Sequence, residues 1–361
     1  MRVFFYVQHL LGIGHLKRAA TIAAALRRAG MEVTLASGGA PVPGIEVLQL
    51  PPVSSPDFRQ LIDEHGRPVD DAWKARRTAA LLHAYQTAKP DVLMVELFPF
   101  GRRQMRFELV PLLEEAKKGS DPFSRPLVVC SVRDILQPNP AREAEALERF
   151  ERYFDRLLVH GDPRVAPFER SFAAAGRLAG RLAYTGYVAD EIADGDAGRG
   201  EVLVSCGGGA VGGRLLDTAI AARPLTTLRE RRWRLLAGVN AAGFHGEGVV
   251  VERFRNDFPT RLRNCALSVS QAGYNTVVET LQARARAVLV PFAGGGESEQ
   301  RMRARLLAER GLVQVVEEDA LDAQTLAAAI DRAAAAPRPA PDAIDFGGAR
   351  RTAELLREWL A

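Results

Sequence analysis

Long apolar runs, cysteine pairs, histidine clusters and a strong charge of either sign are all missing from this sequence, and each absence removes a class of protein. No apolar stretch reaches the roughly 18 residues that a membrane-spanning helix needs. The segment Met1-Arg2-Val3-Phe4-Phe5-Tyr6-Val7 reads as a first strand rather than a leader, because no cleavage site follows it. A cytoplasmic location is expected, with at most a peripheral contact at the inner membrane surface. The 3 cysteines, Cys130, Cys206 and Cys265, are far apart in apolar, strand-like settings, which argues against disulfides and cysteine-held metal and for buried, reduced thiols. Lys and Arg (48) nearly balance Asp and Glu (44), and the net charge of +4 suits a small anionic ligand but is too weak for nucleic acid. Aromatic residues make up 7 % and are scattered, so they do not mark the class of a ligand.

What is present is an alternation of short buried-type strands, glycine turns and helices, the pattern of α/β domains built on parallel sheets. With 361 residues the chain is long enough for two such domains, each with its own core. The polar, glycine-rich stretch from Asp190 to Gly200 divides them. The expected organisation is an amino-terminal domain over 1–187, a linker over 188–200, a carboxy-terminal domain over 201–345 and a closing helix over 346–361.

The densest signal lies between 267 and 300. Leu267 to Gly273 reads as strand and turn, and Tyr274-Asn275-Thr276-Val277-Val278-Glu279 opens a helix. Ala287 to Phe292 with Gly294 to Gln300 repeats the unit. Two helix N-termini on one sheet edge offer unpaired N–H groups and partial positive charge, a setting for an anion. Ser205 followed by Gly207, Gly208 and Gly209 ends an earlier strand, and its glycines let backbone approach a phosphate closely.

In the first half, Gly12-Ile13-Gly14-His15 follows the first strand. It is not a dinucleotide fingerprint, because Lys17 stands at the third glycine position and the strand ending at Ala36-Ser37 offers no acid for a ribose. A histidine at a helix N-terminus is held toward the neutral imidazole, the form that accepts a proton; capping is the plainer role for His15. Glu96 ends the strand Pro90 to Leu97 and precedes Arg102 and Arg103, while Arg133 and Asp134 follow the strand Leu127 to Ser131. Ligands bind beyond such strand ends. Either Glu96 or Asp134 can orient His15 or act as base in its stead, and Asp134 can equally pair with neighbours or cap a turn. Residues 51–71 lack periodicity and read as an acceptor loop. Trp73, Arg77, Leu81 and Tyr85, at four-residue steps, read as a core-packing stripe.

The order of turn, Glu279, Val290-Pro291-Phe292 and Glu299-Gln300 resembles the donor-binding domain of GT-B glycosyltransferases. It is most similar to the MurG-type enzymes of family 28 and, more loosely, to the plant-type signature. Gly12, Gly14, His15 and Arg18 resemble the first loop of the same enzymes and of PseG-type nucleotide-sugar hydrolases. The resemblance implies two Rossmann-like domains facing across a central cleft, with the last helix crossing back to the first. It implies that Gly14, Ser205, Gly207, Gly208, Gly209, Ser270, Gln271, Gly273, Asn275 and Thr276 lie along the diphosphate of a UDP-sugar. Phe254 and Arg255 would flank the base, Glu279 would hold the ribose, and Glu299 and Gln300 the sugar. Arg18, Arg102, Arg103 and Arg133 fall on the acceptor side. The family's loop after the first strand of this domain also carries a Gln that this chain lacks.

The activity so implied is inverting transfer of N-acetylglucosamine or a related hexose to a hydroxyl acceptor, lipid-linked or a saccharide, with His15, Glu96 or Asp134 as base. No cofactor or metal is expected, since neither a histidine cluster nor an Asp-x-Asp pair suggests a metal site. Three other readings stay open: a nucleotide-sugar hydrolase, a UDP-sugar 2-epimerase, and a catalytically silent UDP-sugar-binding protein.

Overall fold

The computed structural model of the chain describes residues 1–10, 12–56, 60–118, 125–137, 139–206, 212–294 and 298–361. These form two compact units. The first comprises Met1–Pro163, Pro167–Val188 and Gly347–Ala361, the second Arg164–Ala166 and Ala189–Phe346.

In the first unit the order is β1 (Arg2–Val7), α1 (Gly14–Arg28), β2 (Glu32–Ser37), β3 (Leu48–Gln49), β4 (Val53–Ser54), β5 (Ile62–Asp63), α2 (Asp71–Ala88), β6 (Val92–Glu96), α3 (Arg106–Ala116), β7 (Leu127–Arg133), α4 (Pro140–Tyr153), β8 (Arg156–His160) and β9 (Leu182–Tyr184). Seven of these strands make one parallel sheet in the order β3-β2-β1-β6-β7-β8-β9. Its central strands are mostly apolar because both faces are covered, with polar residues such as Glu96, Ser131 and His160 toward their carboxyl ends. Phe4 and Tyr6 of β1 meet Trp73, Leu81 and Tyr85 of α2 and Leu109 of α3. The alternate residues Val3, Phe5 and Val7 meet Leu16, Ile22 and Leu26 of α1 on the other side. The four-residue stripe on α2 is buried, and Asp70 caps that helix by accepting from Trp73 N–H at 2.7 Å. The 51–71 segment contains the short antiparallel pair β4–β5, tightened where Asp63 accepts from the amides of His65 and Arg67.

The second unit runs β10 (Val202–Ser205), α5 (Gly213–Ala222), β11 (Trp233–Leu236), β12 (Val249–Glu252), α6 (Phe258–Asn264), β13 (Leu267–Ser270), α7 (Tyr274–Gln282), β14 (Ala287–Leu289), α8 (Glu299–Glu309), β15 (Gln314–Val315) and α9 (Ala323–Ala335). Its sheet is also parallel, in the order β12-β11-β10-β13-β14-β15. Of the stretch read from sequence as a linker, residues 189–200 fall in this unit and Val188 in the first. Thr260 donates to Ala193 O at 2.9 Å, and Asn264 Nδ2 donates to Gly195 O and Ala197 O at 2.7 and 3.0 Å, so α6 holds it along its length.

The last helix, α10 (Gly348–Leu360), packs in the first unit, where Ala353, Leu355 and Leu356 join the α1 side of the core. Gly348 sits so close to the chain at 186–187 that a Cβ there would fall 2.5 Å from Gly186 O.

Candidate active site

Both sheets reverse their winding once, between β1 and β6 in the first unit and between β10 and β13 in the second. At such a point neighbouring crossovers leave to opposite faces, opening a crevice beyond the carboxyl ends of the two strands.

In the first unit that position holds His15, in the first turn of α1, and Glu96, the last residue of β6. His15 Nδ1 lies 2.8 Å from Glu96 Oε1. A carboxylate only accepts, so the proton of this bond sits on Nδ1 and Nε2 keeps its lone pair. The Glu96 side chain is 1 % exposed and that of His15 14 %. Arg18, one turn along α1, also donates to Glu96 Oε1. Burial pulls the His15 imidazole down to about 3, with Arg102 and Arg133 acting in the same direction against the Glu96 carboxylate. Glu96 itself is held down to about 2, the attraction of His15, Arg18 and Arg102 outweighing its burial. The pair is therefore a neutral imidazole beside an ionised carboxylate.

Asp134 is buried and its oxygens are engaged elsewhere, accepting from Ile135 N–H at 2.8 Å and from Tyr187 Oη at 3.1 Å. It builds the turn after β7, and the residue that orients His15 is Glu96. Arg18, expected on the acceptor side, is 4 % exposed and faces Glu96. Arg102 donates from Nε to Gln8 O at 2.7 Å, Arg103 pairs with Glu145 at 2.8 Å, and Arg133 is half-buried. A cavity of about 620 Å³ lies over the loop after β6, with Arg102, Arg103, Arg106, Arg142 and Arg149 in its wall and Phe100 among its apolar residues. Glu145 takes up Arg103, Arg106 (3.3 Å) and Arg149 (2.8 Å).

Two buried polar groups nearby, His160 and Arg77, have partners that sequence reasoning did not find, although Arg77 was read as part of a buried stripe. His160, at the end of β8, bonds Ser131 at 2.8 Å and Thr185 at 2.9 Å. Arg77 uses Nε and both terminal nitrogens on Glu108, Gln8, Gly38 O and Pro51 O at 2.6–2.9 Å. Neither set of partners is signalled locally, because they are distant in sequence.

In the second unit Ser205 and Ser270 are register partners at the carboxyl ends of β10 and β13. Ser270 is fully buried and its hydroxyl has no partner among the described residues. Gln271 N–H donates to Ser205 O at 3.3 Å, which ties the two strand ends together. Gly273 is the N-cap of α7, and Asn275 and Thr276 lie in its first turn. A glycine offers no side-chain oxygen to the first-turn amides, so they stay available to an anion. Glu279 lies half-buried one turn further on. Gly207, Gly208 and Gly209 lie outside the described residues.

Glu299 opens α8 and is 4 % exposed. Its Oε1 accepts from Arg303 at 2.7 Å, and Arg303 also donates to Ala272 O at 3.1 Å and lies over the Tyr274 ring. Arg303, another residue the sequence reading missed, thus joins the two βα turns; its i,i+4 spacing from Glu299 was the available signal. Gln300 Oε1 accepts from Phe292 N–H at 3.2 Å. Arg255 pairs with both oxygens of Asp257 at 2.9 Å, while Phe254 is 68 % exposed, which excludes a core role for it. The sequence does contain one Asp-x-Asp spacing, Asp194-Gly195-Asp196, but Asp194 pairs with Arg263 and Asp196 with Arg199. Among the described residues no group of three or more His, Cys, Asp or Glu is placed to hold a metal ion, and no helix is long and apolar enough to cross a membrane.

Residues 236–351 match the glycosyltransferase family 28 C-terminal domain. Over 192 residues the chain is 30 % identical to the UDP-N-acetylglucosamine--N-acetylmuramyl-(pentapeptide) pyrophosphoryl-undecaprenol N-acetylglucosamine transferase of Chromobacterium violaceum, covering 49 % of this chain and 48 % of that one. The chain spans about half or less of the length of the first curated relatives it matches. Among solved structures it resembles a glycosyltransferase of kitacinnamycin (TM-score 0.69, 17 % identity, 100 % and 99 % of the two chains). It also resembles the MurG of Acinetobacter baumannii (TM-score 0.62, 14 % identity, 99 % and 100 %). At such identities the likeness shows the fold, which is the two-domain GT-B arrangement of parallel α/β sheets.

Proposed function

We propose that this chain, which carries a family 28 C-terminal domain, is an inverting, metal-independent glycosyltransferase. It moves N-acetylglucosamine or a related hexose from a UDP-sugar to a hydroxyl acceptor. The observation that carries this reading is the His15–Glu96 pair: a neutral imidazole, fixed by a buried carboxylate, with Nε2 left to accept a proton. The acceptor hydroxyl gives its proton to Nε2, and its oxygen attacks the anomeric carbon on the face opposite the diphosphate. The bond to the diphosphate breaks, UDP leaves with the electron pair, and the anomeric centre inverts. The start of α7, Ser270 and the Ser205 strand end are suited to the charge that collects on the diphosphate. Glu279 is assigned to the ribose.

The cavity wall carries five arginines against two acids, Glu143 and Glu145, and this positive excess favours an acceptor with an anionic group over water, and so a transferase over a hydrolase. A lipid-linked acceptor would bring the protein to the cytoplasmic membrane surface. UDP release should be followed with UDP-N-acetylglucosamine and a panel of phosphorylated or carboxylated sugar acceptors, and with none. Release that depends on an acceptor is expected. Free sugar formed at full rate without one would make the chain a hydrolase, and binding without turnover would make it a carrier.

A further inference from the structure

We propose that Arg18 is the positioning residue of the base: by bonding the same Glu96 oxygen as His15, it keeps that carboxylate ionised and aimed, so that His15 holds its proton on Nδ1 and presents Nε2. The inference rests on reading His15 as the base, but its geometry stands in the first unit alone. Glu96 Oε1 accepts from both His15 Nδ1 and Arg18. Arg18 Nη2 also lies 3.4 Å from His15 Nδ1, so two arrangements compete. In one, Nδ1 carries the proton and gives it to Glu96. In the other, Nδ1 accepts from Arg18 and turns its lone pair on the carboxylate 2.8 Å away. The second is repulsive for as long as Glu96 is charged.

The charge on Glu96 is the hinge of this choice. The carboxylate is 1 % exposed, and its second oxygen has no hydrogen-bond partner among the described residues. An isolated acid in such a place would take up a proton. Arg18, with its side chain 3 % exposed, supplies the direct ion pair that opposes this. The other charged and titratable groups facing the pair include Arg102 from the loop after β6, Cys130 and Arg133 on β7, and neutral His160 at the end of β8; burial and the Glu96 charge keep the Cys130 thiol protonated. Arg102 and Arg133 repel a protonated His15, and Arg102 also favours the charged form of Glu96, while the hydrogen bonds to Glu96 Oε1 come from His15 and Arg18. Arg18 lies on α1 one turn beyond His15, so a single helical register sets imidazole and guanidinium against one carboxylate.

The test is the side-chain 15N NMR spectrum of the histidines in the whole chain without substrate, with His15→Gln supplying the assignment. In the wild type, His15 should show a protonated Nδ1 and a bare Nε2, unchanged from pH 8 to pH 5. Arg18→Met should let Glu96 take up a proton between pH 8 and pH 5 and so mix the His15 tautomers in that range, and Arg18→Lys should restore part of the wild-type signature. A wild-type His15 protonated on Nε2 would overturn the proposal with no variant needed, and so would a folded Arg18→Met protein with an unaltered His15 signal. If the tautomer is as stated and no nucleotide-sugar is ever consumed, the functional reading fails and the positioning role stands. Where turnover is measurable, Arg18→Met should lower kcat with the KM for the UDP-sugar unchanged, and move the acid limb of the pH profile toward neutrality.

Discussion

His15 lies in the first turn of α1 and Glu96 at the end of β6, 81 residues apart in sequence and 2.8 Å apart in the fold. Replacing His15 with Ala should reduce kcat by about 10²–10⁴-fold, the usual worth of a general base. Calorimetric UDP affinity should stay as in the wild type, and a variant with undiminished turnover would remove His15 from the chemistry. Glu279→Ala should weaken UDP binding by about 1–3 kcal/mol through lost charge-assisted hydrogen bonds; unaltered affinity would strike Glu279 from the ribose site. At this scale a polar residue at the end of an apolar strand was the readable sign at Glu96, Ser205 and Ser270, though the same sign passed unused at His160, which ends β8. The sequence was not informative about partners. Nothing local to Asp134 announces that Tyr187 will occupy it, and the sharing of Glu96 by Arg18 and His15 appears only when β6 is laid beside β1.

Strands and helices were legible because their periods differ. Doubly buried β1 and β6 read as continuous apolar runs, and α2 shows its four-residue stripe. The stretch from Asp190 to Gly200 reads as solvated from its glycines and acids, and the sequence does not show that its backbone is held by α6, through Ala193 O on Thr260 and through Gly195 O and Ala197 O on Asn264. The seating of α10 depends on an absence that sequence alone cannot weigh. A methyl group at Gly348 would meet two backbone carbonyls, Gly186 O at 2.5 Å and Tyr187 O at 2.7 Å, neither free to rotate away. Gly348→Ala should therefore lower stability by about 1–3 kcal/mol, the ordinary range for overpacking, despite the better helix propensity of alanine. Denaturant unfolding measures it, and a midpoint at or above that of the wild type would contradict the close seating.

For the molecule as a whole, three imidazoles set the response to acid. His9, His15 and His160 are all held below the ordinary histidine value, chiefly by burial, the last two at about 3. The unfolded chain binds protons on them from about pH 6.5 downward while the folded chain does not, so stability falls as pH falls through that window. Glu96 and Asp257 are held below the ordinary carboxylate range, so their contribution is present above about pH 4.5 and is lost only below it. Melting temperature should drop between pH 7 and pH 5, above the window in which Glu96 and Asp257 lose their contribution; a flat curve down to pH 5 would show that these histidines are not kept neutral by the fold. The placement of α10 has one more consequence, for synthesis on the ribosome. The first unit lacks one wall of its core until α10, translated after the whole of 189–346, has emerged, whereas the segment between 189 and 346 has all its strands beforehand. The order in which the halves mature is thus the reverse of the order in which they are translated, and a nascent chain halted short of Gly347 would expose the apolar flank of α1 to whatever chaperone is at hand.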